Sequence, residues 1–244
     1  MSPRSGISRR PQGRPQLHCL LAALPLVAAV LAPSPPAAAS AVAVVLPAPA
    51  VNDPRQPGHM QTAVLAGGCF WGMQEVFEHV RGVHEVLAGY SGGAHSKANY
   101  QDVETGTTGH AESVQITFDS GQLSYGEVLQ IYFSVAHDPT ELDRQGPDTG
   151  KQYRSVIFYV DDGQRRIAES YIRQLTDDKA FAQPIVTQLE PLRGFYRAED
   201  YQQDYYLKNP ATPYVVFVDL PKVRNLKTLF PAYYIDSPAT VGAR

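Results

Sequence analysis

The sequence predicts one α+β domain, a sheet with helices packed mainly on one of its faces. Three observations predict it. Strand-like and helix-like stretches mix without a regular βαβα alternation, which argues against a parallel, doubly wound sheet. Residues Ala111 to Phe118 alternate cleanly, with Glu112, Val114, Ile116 and Phe118 on one face, as a half-buried strand requires. Ser124 and Glu127 form a capping box ahead of Val128, Ile131, Tyr132 and Val135, the spacing of an amphipathic helix. No internal repeat interrupts this pattern.

The chain opens with Arg4, Arg9, Arg10 and Arg14, then an apolar run from Leu20 to Ala32, then small residues ending in Ala39-Ser40-Ala41. This is the pattern of a secretory signal over residues 1–41, so the mature chain is expected to be exported, periplasmic or secreted. The run is broken by Pro25 and Pro33 and falls short of the ~20 residues that span a bilayer. Residues 42–60 are rich in Ala, Val and Pro without a period and read as a linker. The domain proper is expected over 61–232, followed by a tail over 233–244.

Within the domain, Thr62 to Ala66 is a short apolar run stopped by Gly67-Gly68 and reads as a buried strand. Trp71 to Val80 carries Met73, Val76, Phe77 and Val80 at helical spacing. Val83 to Tyr90 is a second strand, ending at Ser91-Gly92-Gly93. Arg154 to Val160 is apolar on both faces and is therefore expected inside the sheet. A helix over Gln164 to Leu175 places Ile167, Tyr171, Ile172 and Leu175 on its buried side. Ile185 to Leu189 is a further strand. Beyond Gly194 the chain is rich in Tyr, with short helices expected near Ala198–Tyr206 and Pro221–Phe230.

Loss of the leader would remove four arginines and move the formal net charge from −3 to −7. That leaves no electrostatic footprint for nucleic acid or an anionic membrane. It would also remove Cys19 and leave Cys69 as the one cysteine. An exported protein usually pairs its cysteines, so a lone thiol points to an intermolecular bridge or a reactive group.

Cys69 lies between the Gly-Gly stop and a predicted helix start. Free backbone N–H groups and the helix dipole there favour negative charge, which predicts a lowered thiol pKa. Against this stands the common role of free cysteine as a small buried hydrophobe. Phe70 and Trp71 follow at once and offer an apolar wall for a small uncharged group, although paired aromatics at a helix start also serve as core. Glu112 sits on the apolar face of its strand, where lost hydration raises a carboxyl pKa and suits it to general acid work. A strand-end carboxylate curling back to water is the plainer alternative. His110 has no metal-ligand spacing, and a backbone hydrogen bond would account for it. His137 is expected at a helix C-terminus, where an imidazolium complements the dipole.

Taken together, Gly67-Gly68-Cys69-Phe70-Trp71-Gly72, Gly89-Tyr90-Ser91-Gly92-Gly93 and Gly106-Thr107-Thr108-Gly109-His110-Ala111-Glu112 resemble the A-type peptide methionine sulfoxide reductases. Asp138-Pro139-Thr140 and the run Arg144 to Ser155 match as well. The resemblance implies a two-layer, ferredoxin-like sandwich with a mixed sheet. It implies that Cys69 attacks the sulfoxide sulfur and Glu112 protonates the oxygen. Tyr100 and Tyr153 would hydrogen-bond that oxygen, Asp148 would hold substrate backbone, and Phe70 and Trp71 would receive the methyl group. The product at Cys69 would be a sulfenic acid. Many members carry C-terminal cysteines that resolve it, whereas Asp236 to Arg244 contains none. The implied enzyme binds no cofactor or metal, acts as a monomer on oxidised proteins or free methionine sulfoxide, and is recycled by an external thiol, thioredoxin-like or another dithiol. Gln74 stands where Glu is frequent, off the apolar face of its helix, with little expected consequence. Gln202 stands where His is frequent, which opens the role of that position.

Two other functions fit parts of the pattern. A Cys–His hydrolase would pair Cys69 with His110 and need no reductant. A non-enzymatic module would bind oxidised or Met-rich peptides through Phe70 and Trp71 and would survive loss of the thiol.

Overall fold

The computed structural model describes residues 43–242. The expected leader over 1–41 lies outside the described residues. Strand β1 (Met60–Ala66) runs from an exposed start into the interior and delivers the chain to helix α1 (Phe70–Glu78). Then follow β2 (Val83–Ser91), the short α2 (Tyr100–Val103), capped by Asn99, and β3 (Ala111–Asp119). Helix α3 (Tyr125–Ile131) starts at the capping box of Ser124 and Glu127 and passes into a wider π-type turn over Tyr132–Ala136. The small hairpin of β4 (Arg144–Gln145) and β5 (Asp148–Thr149) leads through a 3-10 turn, Lys151–Tyr153, into β6 (Val156–Tyr159). Asp161 caps α4 (Asp162–Asp177). Two further strands, β7 (Gln188–Pro191) and β8 (Phe195–Arg197), precede α5 (Tyr205–Lys208). A second π-type turn, Val215–Asp219, opens α6 (Leu220–Leu229).

Six strands form one mixed sheet in the order β7-β6-β1-β3-β2-β8. Every pairing is antiparallel except the parallel β6–β7 edge. Val114, Ile116 and Phe118 of β3 share the main core with Ala63 and Leu65 of β1, Val86 and Tyr90 of β2, and Met73, Val76 and Phe77 of α1. Full burial of each of these larger side chains is worth about 1.5–3 kcal/mol. Val64, Ala66, Ala111, Val156 and Phe158 point to the opposite face and form a smaller cluster under Leu192 and Phe195. The architecture is the expected α+β sheet-and-helix layering, and β6 lies inside the sheet as its two apolar faces require.

The differences lie at the edges. The strand expected at Ile185–Leu189 pairs only over Gln188–Pro191, and β8 and the β4–β5 hairpin carry too few residues to show a period. The stretch predicted as a linker is, in its described part, fastened to the domain. Leu46 is buried, its N–H donates to Ser134 Oγ at 3.2 Å, and its carbonyl accepts from Gln130 at 2.6 Å. Tyr171 donates to the Pro47 carbonyl, and Gln174 serves both the Ala48 carbonyl and the Ala50 N–H. A Pro-rich run has no ladder of its own, so side chains of other elements satisfy its backbone.

At the C-terminal end of α1, Glu75, Glu78, His79 and Asp204 form a buried polar cluster. Burial, then Glu75 and Asp204, pushes the Glu78 carboxyl up to about 10, against a smaller pull from Lys208. Burial would depress the His79 imidazolium, but its bonds to Glu75 at 2.9 Å and to the Ile235 carbonyl raise it overall. The tail is tied here: Ile235 N–H donates to His79 O, Ala239 N–H to Glu78 O, and Val241 N–H to Asp204 Oδ1. Gln74, expected to be inconsequential, is buried in the same region. It donates to Val86 O at 2.9 Å and accepts from Asp204 N–H at 2.9 Å, joining α1 to β2 and to the turn before α5. A helix too short to have a fully solvated face buries its off-stripe positions as well.

A carboxyl with a raised folded pKa keeps its stabilising contribution while protonated and loses it as pH rises from its unfolded value towards the folded one. His79, also raised, adds a loss of the same sign. The urea-unfolding free energy should therefore fall between mildly acidic and alkaline pH, up to about 10 for Glu78. Glu78→Gln should shrink that fall by at least about 1 kcal/mol; an undiminished fall in the variant would refute the assignment.

Candidate active site

Helix α1 begins at Cys69, whose side chain makes no capping hydrogen bond. The cap comes from elsewhere in the chain: Glu112 Oε2 accepts the Phe70 N–H at 3.0 Å. Glu112 is brought there by strand parity, since it faces the helix layer with Val114 and Ile116. The turn before Cys69 is narrow. Gly68 has φ +91°, and a Cβ there would stand 2.7 Å from Cβ of Gln145, so only glycine serves.

Cys69 is 8% exposed. Burial pushes its thiol well above the ordinary range, and the Glu112, Asp219 and Asp148 carboxylates push the same way, against the Trp71 N–H. This corrects the expectation of a lowered thiol pKa. The helix N-terminus is present, but desolvation and several acidic groups outweigh it. Glu112 behaves as its parity predicts. Burial raises its carboxyl to about 8, although the Phe70 N–H and the Cys69 thiol pull it down. Near neutral pH the pocket therefore holds a thiol beside a neutral carboxylic acid.

Tyr100 opens α2 and Tyr153 closes the 3-10 turn, both partly buried. Burial raises both phenols; at Tyr100 a hydrogen bond to Glu104 comes next, and at Tyr153 the charge of Glu112. Both thus keep their hydroxyl protons at neutral pH. Asp148 of β5 accepts a short hydrogen bond from Tyr214, while burial lifts its own carboxyl. Asp219 is fully buried, is raised to about 6 by burial, and stands 3.8 Å from Lys222. It lies so close to α1 that a Cβ on Gly72 would meet its Oδ1 at 2.2 Å.

The two aromatics divide their roles. Phe70 is fully buried against Tyr90, with ring centroids 5.8 Å apart, and belongs to the core. Trp71 is partly exposed and fixed on three sides: it stacks on Tyr205 at 3.7 Å, meets Tyr214 edge-on at 5.7 Å, and donates Nε1–H to Gln202 at 2.8 Å. Gln202 thus acts as an acceptor that orients the indole. Tyr205, Tyr214 and Asp219 were not singled out from the sequence. The Tyr-rich composition after Gly194 is the one signal for the two tyrosines, and Asp219 has none, because nothing local aims that segment at residue 69.

Both ring nitrogens of His110 are committed, one to the Gly93 N–H and the other to the Ala94 carbonyl, so it is not placed to activate Cys69. His137 departs from expectation. It is buried, bonded to Ser155 and stacked on Tyr132 at 3.9 Å, and burial drives it down to about 3, so it is neutral.

A model of the family described as peptide methionine sulfoxide reductase matches residues 61–232. The peptide methionine sulfoxide reductase MsrA 2 of Mesorhizobium japonicum is 54% identical over 191 residues, covering 78% of this chain and 97% of that protein. The protein of the same name from Synechocystis is 53% identical over 167 residues, covering 68% and 78%. Among solved structures, methionine sulfoxide reductase A of Corynebacterium diphtheriae superposes with a TM-score of 0.53 at 34% identity, covering 64% of this chain and 77% of that one.

The raised thiol has a direct readout. Iodoacetamide should alkylate Cys69 about tenfold or more slowly than free cysteine at neutral pH, because only the thiolate reacts. The rate should keep climbing above the ordinary thiol range, and Glu112→Gln should move that rise to lower pH. A wild-type profile matching free cysteine would refute the electrostatic picture.

Proposed function

The chain belongs to the peptide methionine sulfoxide reductase family, and from that premise we propose that it reduces methionine S-sulfoxide, free or in proteins, through Cys69. One observation carries the mechanism: a buried thiol and a buried neutral carboxyl share the N-terminus of α1. The Cys69 sulfur attacks the sulfoxide sulfur. Glu112 passes its proton to the oxygen and recovers one from the thiol. The oxygen passes, in net terms, from the substrate to Cys69. Methionine leaves, and Cys69 becomes a sulfenic acid. Charge that builds on the oxygen meets preplaced donors, the hydroxyls of Tyr100 and Tyr153, in a site that largely excludes water.

Trp71, held by Gln202 and Tyr205, supplies the apolar wall for the methyl group, with Phe70 behind it. Asp148, steadied by Tyr214, is placed to accept a hydrogen bond from substrate backbone. Recycling requires two external thiol groups. The first condenses with the sulfenic acid, releases water and leaves a mixed disulfide on Cys69. The second displaces Cys69 as a thiol. A thioredoxin-like protein or another dithiol fits this role. The tail supports that reading, since it carries no cysteine and is tied at the far end of α1, about 12 Å of helix from the thiol. We place the mature monomer outside the cytoplasm, a reading supported by the leader pattern over 1–41.

With dithiothreitol as reductant, the wild type should turn over methionine S-sulfoxide and discriminate against the R epimer. Cys69→Ser should show no turnover, and equal rates in the two proteins would sink the proposal. Glu112→Gln should lower kcat by about a hundredfold, the usual scale of a lost general acid. In the wild type, kcat/KM should decline as pH rises through about 8, where Glu112 gives up its proton.

A further inference from the structure

A depression of about 250 Å³ adjoins the Cys69 corner: Gln145 and Tyr214 are both in its lining, Gln145 stands against Gly68, and Tyr214 meets Trp71 edge-on. Asp148 and Tyr214 are in its lining; the Asp148 carboxylate raises the Cys69 thiol, and the sulfur in turn raises the Tyr214 phenol. Its outer walls include Val44, Phe181, Phe217 and Pro221, contributed by segments distant in sequence. We propose that this groove binds an apolar side chain of a polypeptide substrate, next to the oxidised methionine.

The proposal rests on the reductase reading and adds to it a preference for an apolar side chain beside the oxidised residue. Phe217 is the main observation. It lies in the π-type turn Val215–Asp219, whose end residues Val215 and Asp219 are buried, so the turn is anchored while Phe217 stands 79% exposed. Val44, across the groove, is 50% exposed. Phe217 and Val44 line one depression together, which sets them apart from singly scattered exposed apolar residues.

Continuity with the site selects the occupant. Asp148 Oδ2 accepts from Tyr214, and Oδ1 accepts no hydrogen bond among the described residues. Oδ1 is therefore open to a backbone N–H of an extended chain entering the thiol pocket. From that point the next side chain of the polypeptide reaches the groove, because successive residues rise about 3.3 Å along an extended strand. Free methionine sulfoxide has no atoms that extend so far. The volume suits one large side chain, whereas a folded reductant would dock on a broader face.

The test compares acetylated, amidated peptides in which methionine S-sulfoxide is flanked by leucine or by serine, on either side, with free methionine S-sulfoxide. In the wild type, leucine on one of the two sides should raise kcat/KM by about tenfold over serine, as partial burial of one apolar side chain would. Phe217→Ser should bring that ratio within about twofold and leave turnover of the free amino acid unchanged. Val44→Ser should act in the same direction. A ratio that survives both substitutions would overturn the proposal. So would an effect of Phe217→Ser confined to the KM for a thioredoxin, which would assign the groove to the reductant. Failure of the wild type to reduce any sulfoxide would overturn the reductase reading itself, and the free amino acid makes the two failures distinguishable.

Discussion

The site depends on one constraint: Cys69 and Glu112 are buried together at the start of one helix. A low-dielectric pocket penalises each charge it contains. With Asp148 and Asp219 close by, a thiolate and a carboxylate cannot both form there cheaply. The pair therefore titrates as a unit. The Phe70 N–H bond to Glu112 links this electrostatics to the fold, since the acid also satisfies a free N–H group of the helix. Neutral acid and neutral thiol suit a neutral, dipolar sulfoxide, because the proton given up by one group can be replaced by the other.

The orientation of this pair was legible where the signal was local. The alternation of β3 set which way Glu112 faces, and the Gly-Gly stop set Cys69 at a strand-to-helix corner. The capping box fixed the start of α3 for the same reason, as its partners are three residues apart. What could not be read locally was the sum of distant charges. The sequence around Cys69 shows a helix N-terminus and predicts a lowered pKa. Burial reverses it first, and then the acidic groups at positions 112, 219 and 148, brought in by three separate elements. The docked segment around Leu46 was hidden for a related reason: its bonds go to α3 and α4, and its own composition has no period.

Helix α1 is held by buried polar groups along its whole length. Glu112 caps its first turn, Gln74 ties its middle to β2 and to Asp204, and the Glu75–His79 pair closes its last turn against the tail. Gln203 extends the middle tie, accepting from the Ala88 N–H and donating to the Ala88 and Ala198 carbonyls. Apolar packing alone would allow such a short helix to slide or rotate, whereas satisfied buried hydrogen bonds specify one position. The sulfur is thereby fixed relative to the acid and the tyrosines, as a reaction needing near-contact geometry requires.

The same burial shapes the return half of the cycle. A sulfenic acid formed on a residue that is 8% exposed is shielded from further oxidation, and the same burial limits the approach of a reducing thiol. The tail is anchored at the opposite end of α1 from the sulfur. Methionine must leave before a reducing thiol enters, so the two half-reactions alternate at one place. The indole of Trp71, two residues from the sulfur, is clamped by Tyr205, Tyr214 and Gln202 and so keeps one position through both half-reactions. Because burial penalises charge on the sulfur and on Glu112 alike, the preference for a neutral sulfoxide follows from the same low-dielectric surroundings that set their protonation.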